Sequence, residues 1–329
     1  MSARSDQTDI TSLADDRARG FGGRGYVVVA SIAVLAIIPL VVAVLNEPFY
    51  LDLVTRLMIF AIAAVSLDII LGYGGMISFG HAAYLGIGGY AVGIFSFYGI
   101  DNGFLQWPVA ILGSALIAMV IGAISLRTSG MYFIMITLAF TQMLYFLGIS
   151  LETYGGDDGM ITNRSEFAGI IDLYDANTFY YLVFVLLGLS LYGSYRLVNS
   201  RFGMVIRGAQ SNERRMHAIG FPTMRYRLVA FTISGAMCGV AGALLANLTE
   251  FVTPEFMHWT RSAELLFMVI LGGMGTLFGA VLGAAAYLML EEILSGYTLH
   301  WHIILGPVLI LVVLFAKRGI FGGGAGTKH

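Results

Sequence analysis

The chain has 329 residues, of which 58% are hydrophobic and only 12% charged, and its formal net charge is −2. A disordered chain is excluded, because such chains are poor in apolar residues and rich in charge. A soluble enzyme of this size could not bury so much apolar surface in one core. The charge balance gives no basic field that would attract nucleic acid. The composition therefore predicts an all-α polytopic membrane protein.

The apolar segments recur at spacings typical of membrane-spanning helices, since about 20 helical residues cross a bilayer core. The first 26 residues are polar and predict a cytoplasmic tail at 1–26. A transmembrane domain is predicted over 27–316 and a second cytoplasmic tail over 317–329. Hydropathy predicts about ten spans, near residues 27–45, 54–71, 80–99, 108–126, 131–150, 179–197, 228–248, 263–274, 277–294 and 303–316.

One apolar stretch, 263–294, is too long for a single span, and the sequence LGGMGTLFG at 271–279 interrupts it. Dividing the stretch there places the N-terminal tail, Arg127, the arginine-rich segment 196–227 and the C-terminus on one side of the membrane. The acidic loop 151–178 falls on the other side. Because basic residues collect on the cytoplasmic side, this pattern predicts that both termini are cytoplasmic.

Two glycine-rich segments are similar to each other. LDIILGYGGMISFG at 67–80 and LLFMVILGGMGTLFG at 265–279 share an apolar run, a Gly-Gly-Met and a following Phe-Gly. Both are predicted as cytoplasmic turns between helices of like orientation. The similarity indicates either an internal repeat, which transporters often contain, or merely the common composition of glycine-rich turns.

The sequence GYGGMISFGHAAYLGIGGY at 72–90 combines many glycines with polar and aromatic side chains. Glycine lets helices approach closely and lets backbone carbonyls face a cavity. Ser78, His81 and Tyr84 are therefore candidates to line a substrate path, together with Gln142 of the fifth span. The alternative is tight packing, with His81 hydrogen-bonded inside the bundle. The glycines predicted to serve turns or packing are Gly74, Gly75, Gly80, Gly272, Gly273 and Gly275.

Four acidic residues, Asp68, Glu264, Glu291 and Glu292, lie in or near predicted spans. A carboxylate is costly inside the membrane, so such residues face protein or water. They serve packing and the membrane interface, or they form a proton relay.

Nothing in the sequence predicts a catalytic site, metal site or cofactor. His300 and His302 are badly spaced for a tetrahedral metal site, and Cys238 is the only cysteine. No Walker A motif, the loop that cradles nucleotide phosphates, is present.

The segment 198–227 predicts two short helices in a basic loop. Phe202, Val205, Ile206 and Ala209 fall on one helical face. A second helix is predicted from a cap at Asn212 or Ser211 to Gly220, with Pro222 beyond it. Such a helix can receive the motion of a soluble motor, although a basic loop can also serve only to set topology. The candidate coupling residues are Asn212, Glu213, Arg214, Arg215, Ala218 and Gly220.

Three motifs occur in one order over roughly residues 50–322. The first is GYGGMISFGHAAYLGIGGYAV, and the second is the run from SRFGMVIRGAQSNERR into the next helix, over 200–244. The third runs from Thr253-Pro254 to LGGMGTLFGAVLGA at 271–284, followed by LFAKRGIFG at 314–322. Together they resemble the LivM-type permeases of branched-chain amino-acid ABC importers. The family commonly has alanines after the loop glutamate, whereas Glu213 is followed here by two arginines.

The resemblance implies a type II, BtuC-like permease fold in the bacterial inner membrane. It implies alternating access for branched-chain or related amino acids, driven by two cytoplasmic ATPases that bind ATP and Mg. The other partners implied are a LivH-like second permease subunit, a periplasmic substrate-binding protein and membrane lipid.

Three alternatives stay open at this stage. Related permeases with the same motifs carry urea or short-chain amides, and aromatic acids are also possible substrates. An ion-coupled secondary transporter would use Asp68, Glu264 and the Gln142 region. A passive channel would use the glycine-rich spans, but neither of these last two classes needs the helix–Gly–x–Pro loop.

Overall fold

The computed structural model describes residues 30–40, 42, 48–167, 169, 172–297, 300, 303–307, 310–311 and 319–320. Residues 52–323 form one unit, which holds nearly all of the second described helix and every later one. The helices whose bounds lie within the described residues are α1 (Ala30–Leu40), α2 (Pro48–Leu71), α3 (His81–Phe97), α4 (Gly103–Ser125), α5 (Met131–Ser150), α6 (Ala176–Val198), α7 (Arg201–Ser211), α8 (Glu213–Ala218), α9 (Thr223–Thr249), α10 (Trp259–Gly272) and α11 (Leu277–Tyr297).

Six of these helices, α2, α4, α5, α6, α9 and α11, are long and apolar enough to cross a membrane. The shorter helices α3 and α10, of 17 and 14 residues, coincide with the spans predicted at 80–99 and 263–274. The prediction of an all-α polytopic membrane protein is confirmed. The predicted spans 27–45 and 303–316 lie partly outside the described residues, as does nearly all of both predicted tails.

The predicted interruption of the long C-terminal apolar stretch is also confirmed. Helix α10 ends at Gly272 and α11 begins at Leu277. Between them, Gly273 and Gly275 have φ angles of 110° and 75°. Residues other than glycine rarely adopt such positive φ angles, so the two glycines allow the chain to reverse here.

Helices α2 and α9 form the centre of the bundle. The apolar window of α2 is 83% buried and that of α9 61%, against 22% for α5 and for α6. Helix α3 packs against α4 and α9, and α4 also packs against α9. The weakly buried helices α5 and α6 therefore leave broad apolar surfaces for lipid or another protein.

Glycines set the distance between the central helices. A Cβ at Gly242 of α9 would lie 1.8 Å from the Leu85 carbonyl oxygen of α3. A Cβ at Gly88 of α3 would lie 2.0 Å from the carbonyl oxygen of Gly239. Backbone therefore lies directly on backbone along the α3–α9 contact, as small residues allow in membrane proteins.

The acidic loop is fastened to the ends of the central helices. It contains the 3-10 helices Glu152–Tyr154 and Gly156–Asp158, and β1 (Met160–Ile161) pairs antiparallel with β2 (Phe251–Val252). A third 3-10 helix, Pro254–Met257, follows β2.

Polar contacts hold the acidic loop in place. The Arg164 guanidinium pairs with Glu250 at 2.8 Å, and the Ser165 N–H donates to Asn247 Oδ1 at 2.7 Å. At the end of the loop, Asp175 caps α6. The Thr178 hydroxyl and backbone N–H hold the pKa of Asp175 below its usual range, because their hydrogen bonds favour the charged carboxylate.

The close contacts predict that Gly242→Ala destabilises the protein by about 1–3 kcal/mol, because the added methyl group overlaps a backbone carbonyl that cannot move aside. Thermal unfolding of the purified protein in detergent measures this. Gly188→Ala on α6 is the control, since nothing lies within 4 Å of its added Cβ. Equal unfolding temperatures for the two variants would contradict the packing argument.

Candidate functional site

The chain between α2 and α3, residues 72–80, is an irregular segment that we call the break segment. A turn follows α2, in which the Gly75 N–H donates to the Leu71 carbonyl and the Met76 N–H to the Ile70 carbonyl. Gly75 has a φ of 66° and can adopt it without strain because it has no Cβ. The chain then continues without helical hydrogen bonds to α3.

The second half of the break segment is held by hydroxyl groups from other helices. The Phe79 N–H donates to Thr137 Oγ1 of α5 at 3.2 Å. The Phe79 carbonyl accepts from Thr141 at 2.8 Å and from Ser262 of α10 at 2.7 Å. Ser262 in turn accepts from the Ala82 N–H at 2.9 Å. Side chains thus satisfy the backbone groups that a continuous helix would have paired internally.

The break segment leads back into the interior of the helix bundle. His81 Nε2 lies 2.8 Å from Ser234 Oγ, and that hydroxyl donates to the Ser66 carbonyl at 2.5 Å. Ser66 precedes the end of α2 at Leu71 by five residues, a helical rise of about 7.5 Å. Non-helical backbone at such depth occurs where protein surrounds it or where it lines a cavity. In transporters, discontinuous helices of this kind mark substrate sites.

Three of the four candidate path residues come together at the start of α3. Ser78, His81 and Tyr84 are fully buried, and the hydroxyls of Ser78 and Tyr84 both lie 3.2 Å from the position a Cβ would take at Gly80. Since the Ser234 hydroxyl uses its proton on Ser66, His81 donates from Nε2. Among the described residues, His81 Nδ1 and the Tyr84 hydroxyl have no hydrogen-bond partner.

The fourth candidate, Gln142, lies on α5 next to Thr141 and is half-buried. Its amide nitrogen is buried without a partner in the part of the chain that the structure describes. The structure does not bring it into hydrogen-bonding contact with the other three. A role for all four residues in a substrate path stays a prediction, and His81 also satisfies the packing interpretation.

The two similar glycine-rich turns lie against each other. A Cβ at Gly72 would stand 2.1 Å from the Gly275 nitrogen, so the two backbones are in direct contact. The carboxylate of Asp68 accepts from the Gly275 N–H at 2.8 Å through Oδ1. Asp68 is fully buried, and its other oxygen has no partner among the described residues. It therefore joins the two turns rather than reaching the membrane interface.

The other candidate glycines at these turns are tightly packed. A Cβ at Gly74 would meet the Ile70 carbonyl oxygen at 2.6 Å, and one at Gly272 would meet the Gly279 carbonyl oxygen at 1.9 Å. Gly80 has slightly more space, as described above.

The arginine-rich segment forms the two predicted helices, α7 and α8. Val205, Ile206 and Ala209 are buried, as their spacing predicts, and Phe202 stacks on Tyr226 with ring centroids 5.4 Å apart.

The boundaries of α8 follow the predicted capping. Asn212 is the residue that caps it, accepting from the Arg215 N–H at 3.0 Å. At the end of α8, Gly220 has a φ of 88° and permits the reversal into α9.

One arginine of α9 holds the α7–α8 pair together. Arg227 pairs with Glu213 of α8 at 2.9 Å and donates to the Ala209 carbonyl of α7 at 3.2 Å. The other Glu213 oxygen accepts from the Thr223 hydroxyl at 3.2 Å. Glu213, a candidate coupling residue, is therefore bound within the chain.

The remaining candidate coupling residues face outward. Arg214, Arg215, Ala218 and Gly220 are exposed, and Asn212 is exposed at the cap. Beside them, the side chains of Ile219 and Phe221 are 64% and 38% exposed. The outer surface of α8 thus combines positive charge with apolar side chains, a composition suited to contact with a protein.

A cavity of about 170 Å³ separates the break segment from α8. Gly75, Met76 and Ile77 line one side of it, and Glu213 and Arg227 line another. The turn between α4 and α5, from Leu126 to Gly130, closes a third side. The break segment therefore has free space next to the α7–α8 pair.

Sequence reasoning missed Thr137, Thr141 and Ser262 as residues of this site. Thr137 and Thr141 are four residues apart on α5, so they share one helical face, and that spacing was the available signal. Nothing in the local sequence of Ser262 or Arg227 indicates their partners, which lie 183 and 14 residues away.

The model of one protein family, described as the permease component of the branched-chain amino-acid transport system, matches residues 49–315. The chain belongs to this family. The match includes the break segment, the α7–α8 pair and both glycine-rich turns.

Individual relatives agree with the family match. The permease is 30% identical to the high-affinity branched-chain amino acid transport system permease protein LivM of Escherichia coli, over 87% of this chain and 74% of the relative. It is 29% identical to LivM of Salmonella typhimurium, over 82% and 69% of the two chains. It is 24% identical to the permease protein LivH of Escherichia coli, over 80% and 91%. No solved structure matches the chain, and the BtuC-like architecture stays a prediction.

The hydroxyl contacts predict that Ser262→Ala destabilises the permease by about 1–3 kcal/mol, because it leaves the buried Ala82 N–H without an acceptor. Thermal unfolding in detergent tests this. Ser150→Ala is the matched control, since that hydroxyl is exposed at the end of α5. The break segment does not depend on Ser262 if both variants unfold at the wild-type temperature.

Proposed function

We propose that this permease is the LivM-like subunit of an ATP-driven importer of branched-chain amino acids in a bacterial inner membrane. The proposal rests on the family match together with one structural observation. The α7–α8 pair presents an exposed basic and apolar surface and is bound through Arg227 to the central helix α9. That is the arrangement by which a soluble ATPase could move membrane helices.

The proposed assembly contains a LivH-like second permease subunit, two cytoplasmic ATPases that bind ATP and Mg, and a periplasmic binding protein. The exposed apolar faces of α5 and α6 support contact with a second subunit and with lipid. Both termini would be cytoplasmic, because ten spans would place the two tails on the same side as the arginines of α7 and α8. This chain would hydrolyse no ATP itself.

In this mechanism the approach of the two ATPases moves α8, and the break segment switches between outward and inward access. Ser78, His81, Tyr84 and Gln142 would line or border the path at the start of α3. His81 Nδ1 and the Tyr84 hydroxyl support this, because they have no hydrogen-bond partner among the described residues and can accept a hydrogen bond from a polar solute or donate one to it.

Ion coupling has less support from the contacts of the acidic residues. Glu264 pairs with Arg261 at 2.9 Å, Glu291 with Arg56 at 3.3 Å, and Asp68 binds the Gly275 N–H. These carboxylates are held in contacts between and within helices, which suits a structural role better than a proton relay.

The proposal predicts that the permease co-purifies with a second permease and two ATPases, and that the complex accumulates labelled leucine in vesicles when ATP and the binding protein are supplied. Uptake of urea in place of leucine would indicate that the substrate is urea or a short-chain amide. Uptake that an uncoupler abolishes while ATP remains would contradict the proposal and favour an ion-coupled transporter.

Neutralising the outer surface of α8 with Arg214→Ala and Arg215→Ala should weaken the binding of the ATPases. Co-purification of the ATPases with the tagged permease measures this. Arg201→Ala, at the start of α7, is the control, since it removes an exposed arginine of the same segment away from α8. Unchanged recovery of the ATPases with the double variant would exclude this surface as their contact.

A further inference from the structure

The side chain of Gln210, near the end of α7, reaches the break segment. Its amide nitrogen donates to the Gly72 carbonyl at 3.3 Å. Its Cγ stands 2.9 Å from the position that a Cβ would take at Gly75. Gln210 therefore occupies the space that the missing side chain of Gly75 leaves free.

Two contacts link α8 to α7, the helix that carries Gln210. Arg227 binds Glu213 of α8 and the Ala209 carbonyl of α7 with the same guanidinium group. Between the two helices, the sulfur of Met216 stands 2.8 Å from the position of a Cβ at Gly208. These contacts connect α8 to α7 and so to Gln210.

From Gly72 the contact continues to the second glycine-rich turn. The backbones of Gly72 and Gly275 touch, and Asp68 binds both turns through its backbone carbonyl and its side chain. A displacement of Gly72 therefore reaches the start of α11 as well as the break segment.

The cavity beside Gly75 provides the space for such a displacement. It is lined by Gly75, Met76 and Ile77, so this part of the break segment is not packed against α8. Its continuation at Phe79 is bound through the hydroxyls of Thr137, Thr141 and Ser262. The break segment is thus bound to α7 at one end, held by hydroxyls at the other, and lies next to a cavity in between.

We propose that Gln210 is a positioning residue that transmits the motion of the α7–α8 pair to the break segment and, through Gly72, to the turn between α10 and α11. This inference rests on the proposed function, because it needs ATPases that move α8. It adds a specific route from the docking surface to the membrane path, through one hydrogen bond and one close packing contact.

The test compares Gln210→Ala and Gln210→Glu with the wild-type permease in the purified complex with its ATPases, reconstituted in vesicles with the binding protein. Labelled leucine uptake and ATP hydrolysis are measured in the same vesicles. We expect ATP hydrolysis to continue, while leucine transported per ATP falls about fivefold, the size of effect that one lost hydrogen bond produces. Ser211→Ala, the neighbouring exposed residue of α7, is the control and should keep the wild-type ratio.

Gln210→Glu separates the two contacts, since it keeps the volume over Gly75 but cannot donate to the Gly72 carbonyl. If both variants transport less leucine per ATP, the hydrogen bond carries the transmission. If only Gln210→Ala does, the packing contact carries it. Both results support the proposal. Wild-type ratios for both variants would overturn it, as would loss of the ATPases from the purified variant complexes, which would make Gln210 a docking residue.

Failure of the proposed function would give a different result. Wild-type vesicles without ATP-dependent uptake would overturn the importer assignment and the Gln210 route together. Wild-type uptake with unaffected Gln210 variants would overturn only the route.

Discussion

The structure depends on the requirement that backbone polar groups inside a membrane find partners within the protein. Most of the chain meets it with helices, whose hydrogen bonds are internal. The break segment has no such helical hydrogen bonds. Instead, the hydroxyls of Thr137, Thr141 and Ser262 bind the backbone groups of Phe79 and Ala82. The positions of α5 and α10 are therefore constrained, because their hydroxyls must reach these backbone groups. The residues that could meet a solute, His81 and Tyr84, follow directly after this point in the chain.

The α3–α9 contact and the break segment differ in how much space adjoins them. Backbone contact at Gly88 and Gly242 leaves no space for these helices to shift against each other. At Gly75, by contrast, a cavity adjoins the chain and a side chain from α7 lies across it. Motion that enters through α7 and α8 would thus be directed to the break segment and the glycine-rich turns, while the central helices stay together. This arrangement supports the alternating access proposed for the permease.

The segment around Glu213 illustrates how a sequence can predict a helix without predicting the contacts of its side chains. It predicts a short capped helix in a basic loop, and the structure contains that helix with Asn212 as its cap. The carboxylate itself does not face outward but binds Arg227 and Thr223. Its neighbours Arg214 and Arg215 are exposed instead. The departure of this chain from the usual alanines of the family therefore falls on its outer surface.

The sequence by itself determined the helices, the interruption at 271–279 and the boundaries of α8, because hydropathy, glycine and capping act over a few neighbouring residues. It also indicated the family through motifs that are contiguous in the chain. Only the tertiary structure decided what Asp68 binds, which hydroxyls hold Phe79 and how Gln210 meets Gly72. These partners are separated by 207, 183 and 138 residues along the chain. Their pairing follows from the packing of helices against one another, which no local pattern encodes.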